Sequence, residues 1–427
     1  MSVVFRLLIL PLTLASLGFP SAAAREQDSA SPEGFGKLVL KSGKTRLAEA
    51  VPGSKRAPGA ATKAQVQTTK AGPWGEIEYF TTQIEVPESL LKLWEVPSLS
   101  LDWHFMGAQP AEVEQLFRSL DLPAEIRADL LTPARWRTES DSVVVSPSAQ
   151  TIESLPEAAR NAIYAVLTRF PENPFQFEPT LVPGGDVAEW LGADALRPEI
   201  LAMMQKTLHH RGKTAIFSDK GLILRLARGD DERLLIRKVL SRTPTLICKL
   251  ILKPDSDPAK LAEYWSAGRR TEEITPFLES MHGVAGVDRV DLVHLLPAAV
   301  RKLLYTFPNE SHGLAGYFPD CHWTSLNFFN YEPLQRLAEP PLATAYTIEN
   351  YVEVPKPERL GDVLFLMDKQ NGTAYHSCVY IADDIVFTKN GRSRLTPWVL
   401  MKLAAVRELY GIYQETSVVT YRLKTRK

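Results

Sequence analysis

The segment "GDVLFLMDKQNGTAYHSCVYIADDIVFTKNG" (Gly361–Gly391) decides the fold of the C-terminal region. It contains three runs rich in apolar and β-branched residues, and polar residues separate them, which is typical of consecutive β-strands. Asn371-Gly372 predicts a tight turn between the first two strands, because both residues tolerate positive φ angles. We therefore expect an antiparallel sheet in this part of the chain.

The alternation in the second run gives that strand two faces, one with His376, Cys378 and Tyr380 and the other with Ser377, Val379 and Ile381. A two-residue loop at Asp383-Asp384 would bring Lys389 onto the histidine's face. A three-residue loop, 382–384, instead collects the apolar residues of both strands on one face. The cleaner segregation favours the longer loop, because a one-residue slip would reverse every side chain. This register sets Asn390 opposite His376, with Thr388 one pair further on.

A second segment, "YFPDCHWTSLNFFNYEP" (Tyr317–Pro333), contains one of only three cysteines in the chain. It predicts a helix with Asp320 as the N-cap, Cys321 in the first turn and Pro333 as a late stop. A helix N-terminus favours a thiolate, and its free N–H groups can bind an oxyanion. The position therefore suits a cysteine nucleophile.

A thiol nucleophile needs a base, and His376 is the best candidate among the eight histidines, because it lies on a predicted strand in the same region. His209 and His210 lie at the end of a helical pattern and are expected to be solvated. His322 lies too close to Cys321 along one helical turn to face it well. Thr388 or Asn390 would orient the imidazole of His376.

These residues resemble the NlpC-type cysteine peptidases, papain-like hydrolases of bacterial cell-wall peptides. The resemblance covers only the C-terminal part of the chain. It rests on Asp-Cys at a helix start, then Gly-Asp-Val-Leu-Phe, then His-x-x-x-Tyr in a strand that ends in a short acidic turn. It implies an α+β, papain-like domain in which the cysteine-bearing helix packs on an antiparallel sheet. The implied roles are Cys321 as nucleophile, His376 as base and, by position, Thr388 as the orienting group.

The sequence also departs from the pattern of that family. Asp-Cys-His-Trp stands where the family has Asp-Cys-Ser-Gly, and Cys378 stands where it has glycine. The orienting residue of the family is His, Asn or Gln, so Asn390 is an alternative to Thr388. Aromatic residues near the cysteine, Tyr317 and Trp323, are candidates for the wall of a substrate groove.

Three readings of Cys321 stay open at this point. The first is a secreted cysteine hydrolase that cleaves an amide bond, with a peptide or cell-wall peptide as substrate. The second is a catalytically inactive papain-like module that binds such a peptide or a protein partner. The third is a disulfide between Cys321 and Cys378. The sequence contains no phosphate-binding loop, no His-Glu-x-x-His and no Cys-x-x-Cys, so no cofactor or metal is expected.

Composition and the N-terminal segment indicate which partners and which localisation to expect. With 49 basic and 50 acidic residues the formal net charge is −1, which gives no reason to expect nucleic acid as a partner. Residues 1–24 have an early arginine, an apolar run and small residues, as in a signal peptide cleaved near Ala24. We therefore expect a secreted or periplasmic protein without a membrane span. The oligomeric state is not predicted.

The rest of the chain divides into a linker and a middle region. Residues 25–72 are rich in small and polar residues and are predicted to be a disordered linker. Residues 73–285 are predicted to form an α+β domain of unknown role, and residues 286–427 the papain-like domain. In the middle region we expect strands at 75–86 and 243–254, helices at 110–121 and 154–170, and a β-hairpin at 213–227.

Overall fold

The structure is a computed structural model that describes residues 65–93, 95–191, 196–314, 317–356, 358–411 and 415–425. The predicted signal peptide and most of the predicted linker lie outside the described residues. The chain is a mixed α+β protein whose sheets are antiparallel. None of the helices in these ranges is both long enough and apolar enough to cross a membrane.

The strands are β1 Gln67–Thr68, β2 Glu76–Ile84, β3 Trp103–Met106, β4 Trp136–Thr138, β5 Ser142–Val145, β6 Thr180–Val182, β7 His209–Arg211, β8 Thr214–Phe217, β9 Thr243–Ile251, β10 Arg289–Asp291, β11 Tyr351–Glu353, β12 Val363–Asp368, β13 Ala374–Ala382, β14 Ile385–Lys389, β15 Trp398–Lys402 and β16 Thr416–Leu423.

The α-helices are α1 Glu88–Leu93, α2 Pro110–Ser119, α3 Ala124–Leu131, α4 Ala149–Ser154, α5 Glu157–Leu167, α6 Pro174–Phe177, α7 Val187–Leu191, α8 Pro198–Thr207, α9 Lys220–Leu224, α10 Asp230–Leu240, α11 Pro258–Ser266, α12 Thr271–His282, α13 Ala298–Leu303, α14 Cys321–Leu326, α15 Pro340–Asn350 and α16 Leu403–Gly411.

Two sheets form the part of the molecule that holds Cys321 and His376. The larger sheet has six strands in the order β11-β16-β12-β13-β14-β15, and a four-stranded sheet has the order β1-β2-β9-β10. The Thr245 hydroxyl on β9 donates to the carbonyl oxygen of Leu400 on β15 at 3.2 Å and accepts from its N–H at 3.2 Å. These bonds connect the two sheets side by side.

Residues 85–242 are inserted between the paired strands β2 and β9. Ile84, the last residue of β2, pairs with Thr243, the first residue of β9. The inserted residues carry two three-stranded sheets, β3-β5-β4 and β6-β8-β7, and they form two hydrophobic clusters separate from the main core. The chain therefore leaves the end of strand β2, forms a second structural unit, and returns as strand β9 to pair with β2.

The main hydrophobic core does not break at residue 285, where the sequence predicted a domain boundary. A single cluster joins Ile77 on β2, Leu250 on β9 and Trp265 on α11 to Phe365 and Phe387 in the six-stranded sheet. Strand β1 lies within the predicted linker and pairs with β2. The region before residue 285 and the C-terminal sheet thus bury their apolar side chains in one common core, and burial of apolar area drives folding.

Most of the predicted strands and helices are present, and the hairpin at 213–227 is the exception. Its first half is strand β8, but its second half is helix α9. Residues 221–224 of that helix are all buried. A short apolar run that is buried on every side carries no periodicity that separates a strand from a helix, which explains the error.

The register of β13 and β14 is the one expected from the longer loop, although the turn itself is shorter. Val379 pairs with Phe387 and Tyr380 with Val386, and a bulge then lets Ala382 pair with Ile385. The turn contains Asp383 and Asp384 only, and Asp383 adopts a positive φ of 53°. The bulge supplies the extra residue that keeps the apolar side chains on one face.

Candidate functional site around Cys321 and His376

Helix α14 begins at Cys321 and is capped as the sequence predicts. The Asp320 carboxylate accepts a hydrogen bond from the backbone N–H of Trp323 at 2.8 Å. Its other oxygen accepts two hydrogen bonds from Arg392, each at 3.3 Å. The helix ends at Leu326, well before Pro333, so it is much shorter than expected.

Helix α14 packs against β13 and β14 of the six-stranded sheet. The hydroxyl of Ser377 on β13 contacts Nδ1 of His322 at 2.9 Å and donates to the hydroxyl of Ser325 at 3.1 Å. Ser377 is therefore directed towards α14. The polar side chains between this short helix and the sheet are buried and hydrogen bonded to each other.

The Cys321 thiol is nearly inaccessible, with 6% of the residue exposed. Burial raises the pKa of the Cys321 thiol to about 12, and the nearby Asp320 carboxylate raises it further, whereas hydrogen bonds from the backbone N–H groups of Ser377 and His322 act in the opposite direction. The sulfur therefore adjoins the peptide that links His376 to Ser377. In this environment the resting group is the neutral thiol.

The imidazole of His376 is completely buried and is fixed on one side only. Its Nε2 atom is 3.1 Å from the hydroxyl oxygen of Thr388, and its Nδ1 atom has no hydrogen-bond partner among the residues that the structure describes. The ring of Tyr410 on α16 stacks on it, with the ring centroids 4.0 Å apart. Burial, together with the charge of His322, holds the pKa of His376 well below its usual value, so the imidazole is neutral.

Cys321 and His376 approach the same stretch of β13 from different sides. Because side chains alternate along a strand, Ser377 faces α14 and the neighbouring His376 faces α16. No hydrogen bond joins the thiol to the imidazole, although both residues are described. The structure thus places the two groups beside one peptide, without a direct hydrogen bond between them.

Thr388, rather than Asn390, contacts the imidazole. The Asn390 amide nitrogen is 3.2 Å from the Met401 sulfur, and its oxygen lies 3.5 Å from the Thr388 hydroxyl. Asn390 therefore lies behind Thr388 as seen from His376. A hydroxyl in this position can hold the ring through Nε2 and leave Nδ1 free.

The two aromatic candidates for a substrate groove differ in exposure. Tyr317 is 41% exposed. Trp323 is completely buried in the main core, and its indole lies against Trp398 with ring centroids 6.1 Å apart. In this structure Trp323 contributes to packing and presents no surface to a substrate, because its position on the six-residue helix α14 directs it into the core.

All three cysteines carry free, buried thiols. Cys378 lies in the hydrophobic cluster on the α16 side of the sheet, together with Leu364 and Val386. Burial raises its pKa above the usual range. The structure therefore contains no disulfide between Cys321 and Cys378.

Sequence reasoning did not select three residues that complete the site, namely Tyr410, Lys389 and Arg392. Tyr410 lies on a helix well after the three strands, and no pattern in the sequence connects it to His376. Lys389 was considered only in the register that was rejected, and a lysine at the end of a strand is usually exposed, so no pattern indicated its burial. Comparison with protein-family models, with curated proteins and with solved structures found no match for the chain.

The described residues contain no group of three His, Cys, Asp or Glu side chains that is arranged to hold a metal ion.

Proposed function

We propose that the protein is a cysteine hydrolase in which Cys321 attacks an amide carbonyl and His376 carries the proton. The observation that supports this most is the state of His376. Its Nε2 is fixed by Thr388 while Nδ1 is free, and the peptide after it donates its N–H to the Cys321 sulfur. A base that is held on one nitrogen and free on the other suits proton transfer, once an opened form brings it to the thiol on the other side of the same peptide.

The proposed reaction is acyl transfer through a thioester. The thiol proton moves to the imidazole as the sulfur bonds to the carbonyl carbon, and the carbonyl oxygen becomes an oxyanion. The imidazolium then returns the proton to the departing amine. Water attacks the thioester in a second round and releases the acid and the free thiol. The N–H groups of Ser377 and His322, which now contact the sulfur, are the nearest backbone donors for the developing negative charge.

The resemblance to NlpC-type peptidases suggests the substrate class, a peptide of the bacterial cell wall. A cysteine-bearing helix packed on an antiparallel sheet is consistent with a papain-like domain, which we also propose. An exported protein would meet such a substrate, and residues 1–24 would supply the export signal.

The burial of both groups requires an opened form for catalysis. Cys321 is almost covered and His376 is stacked under Tyr410, so a peptide reaches neither group as the side chains now lie. The same observation favours a second candidate, a papain-like module without catalytic activity that binds a cell-wall peptide elsewhere on its surface.

The experiment is hydrolysis of purified peptidoglycan fragments by the full chain and by three variants. Cys321→Ala should abolish cleavage, and His376→Gln should lower kcat strongly. Cys248→Ala, which changes a core thiol on β9, is the matched control and should retain activity. Full activity of Cys321→Ala would disprove the proposal. Binding of fragments without cleavage by the unaltered protein would favour the second candidate.

A further inference from the structure

Lys389 is a completely buried lysine on the same side of the sheet as helix α14. The register of β13 and β14, continued from Val379 and Phe387, places Lys389 opposite Ser377. Because side chains alternate, Lys389 shares a face with Phe387, which belongs to the same cluster as Trp323 of α14. The buried cation is thus on the side from which Cys321 approaches the strand.

The ammonium group of Lys389 has an incomplete set of acceptors. Its Nζ donates to the carbonyl oxygen of Gly391 at 2.7 Å and to that of Ser393 at 2.9 Å. An ammonium carries three N–H bonds, and the third has no acceptor in the described part of the chain. An unused donor on a buried charge is costly and points to a role besides packing.

The turn whose carbonyl groups accept these two hydrogen bonds also contacts the N-cap of helix α14. Gly391 adopts a positive φ of 90°, and the next residue, Arg392, binds the carboxylate of Asp320. Asp320 is the N-cap of the helix that begins with Cys321. A continuous chain of contacts therefore runs from Lys389 through the turn at 391–393 to the cysteine.

We propose that Lys389 is a positioning residue for Cys321, because it holds the turn from which Arg392 binds the helix cap, and that it is also the cation that pairs with the Cys321 thiolate. This inference rests on the proposed function, because it assigns a charge partner to the nucleophile proposed there. The proton balance in the absence of substrate is simple: in a minor fraction of molecules the thiol proton lies on the neutral lysine amine, which leaves a thiolate and an ammonium with no net change in charge. In the proposed reaction the proton still passes to His376.

The electrostatics of the site are consistent with this pairing. Burial lowers the pKa of Lys389 to about 7, while the charges of Asp320 and Cys321 act in the opposite direction. Other titratable or charged groups also lie near the thiol. Arg392 from the turn and His322 from α14 are on the same side of the sheet as Lys389, whereas His376, Cys378 and Tyr410 are on the α16 side. None of the others is an amine that changes charge near neutral pH.

The pairing predicts a particular pH profile for alkylation of Cys321 by iodoacetamide. Below pH about 7, where Lys389 is charged, the logarithm of the rate should rise with pH. Above it the curve should level off, because the last proton is shared within the pair until the thiol itself titrates. Lys389→Met should remove the bend and lower the rate at pH about 6 roughly tenfold, since an opposite charge nearby favours the thiolate.

Lys389→Arg keeps a cation at every pH, so its rate should continue to rise past neutrality. Lys402→Met removes a cation from the neighbouring strand β15 and is the matched control, with an unchanged profile expected. Peptide mapping assigns each alkylation to its cysteine. If Lys389→Met only loosened the fold, Cys321, Cys248 and Cys378 would all react faster, which is the opposite result.

The outcomes separate this inference from the proposed function, because alkylation is measured without substrate. A Lys389→Met profile that keeps its bend near neutral pH would overturn the inference, even if Cys321→Ala abolished hydrolysis. His376→Gln should keep the bend. The ultraviolet absorbance of the thiolate, taken as the difference from Cys321→Ala, gives the same titration without requiring a reagent to enter the site.

Discussion

At the scale of single residues, the site is defined by one buried imidazole with unequal partners. His376 has a hydroxyl on Nε2 and, in the described part of the chain, no partner on Nδ1, although the whole ring is buried. A buried polar atom without a partner costs free energy that the rest of the fold must offset. Buried polar groups in folded proteins are nearly always hydrogen bonded, so an unpaired ring nitrogen calls for a specific explanation.

Thr388→Val removes the hydroxyl that contacts His376 and keeps the shape of the side chain. We expect the free energy of unfolding to fall by about 1 to 3 kcal/mol, because both ring nitrogens are then buried without a partner. The measurement is the urea midpoint at constant m value. Thr373→Val is the control, since Thr373 lies in the same region and its hydroxyl makes no hydrogen bond in the described residues. Equal shifts in the two variants would contradict the role given to Thr388.

The sequence predicted part of this residue-scale arrangement. The alternation along "AYHSCVYIA", together with the register chosen for the next strand, placed His376 and Thr388 on one face, because a strand has a period of two. The stacked Tyr410 and the buried Lys389 were not predicted. Their positions depend on how the helix after β15 and the turn after β14 fold back, which neither periodicity nor a local motif determines.

At the scale of elements, two helices cover opposite faces of the six-stranded sheet next to β13. Helix α14 covers the face with Ser377 and Val379, and α16 covers the face with His376 and Cys378. Glu408 of α16 accepts hydrogen bonds from Thr214 at 3.0 Å and from the N–H of Gly184 at 3.4 Å. The inserted unit 85–242 therefore helps to hold α16 over the imidazole.

Tyr410→Ala tests whether α16 is what keeps His376 neutral. Burial is the main cause of the lowered pKa of His376, so loss of the stacked ring should move that pKa up towards the usual value for histidine. The measurement is an NMR titration of the histidine ring protons, with His376→Gln identifying the signal. We also expect a loss of stability of about 3 kcal/mol from the removed aromatic ring.

Two controls belong to this experiment. Tyr410→Phe keeps the stacked ring and should leave the titration of His376 unchanged. Arg407→Ala changes an exposed side chain on the same helix and should also have no effect. A titration of His376 that stays the same in Tyr410→Ala would show that other groups exclude water from the imidazole.

Sequence analysis was more successful with strands than with short helices. The strands β2, β9, β12, β13 and β14 are long and contain clear alternation or β-branched runs, so their existence followed from pattern alone. Helix α9 was predicted as a strand, and α14 was predicted to be longer than it is. Both are short, and tertiary packing determines such elements more than intrinsic preference does.

At the scale of the whole molecule, the order of the chain differs from the order of the packed units. The main core takes residues from β2 and β9 as well as from the C-terminal sheet, whereas 85–242 pack mostly among themselves. The sequence analysis placed a division near residue 285, ahead of the segment that leads into the Cys321 region. A unit inserted between two paired strands is not recognised from the sequence, because its first and last residues are far apart along the chain and become neighbours only in the folded structure.

This arrangement predicts opposite results for two shortened proteins. In the first, 85–242 are replaced by Asn-Gly, which should close β2 and β9 as a tight hairpin because Ile84 and Thr243 are already paired. We expect this protein to unfold cooperatively in urea and to keep its thiols buried. The second, residues 286–427 alone, lacks the β2, β9 and α11 side chains that complete the core, so we expect no cooperative transition and rapid reaction of Cys321 and Cys378. If the second fragment unfolded cooperatively at the same urea midpoint as the full chain, residues 286–427 would be an independent domain that begins near residue 285. The shared core would then not be needed for its folding.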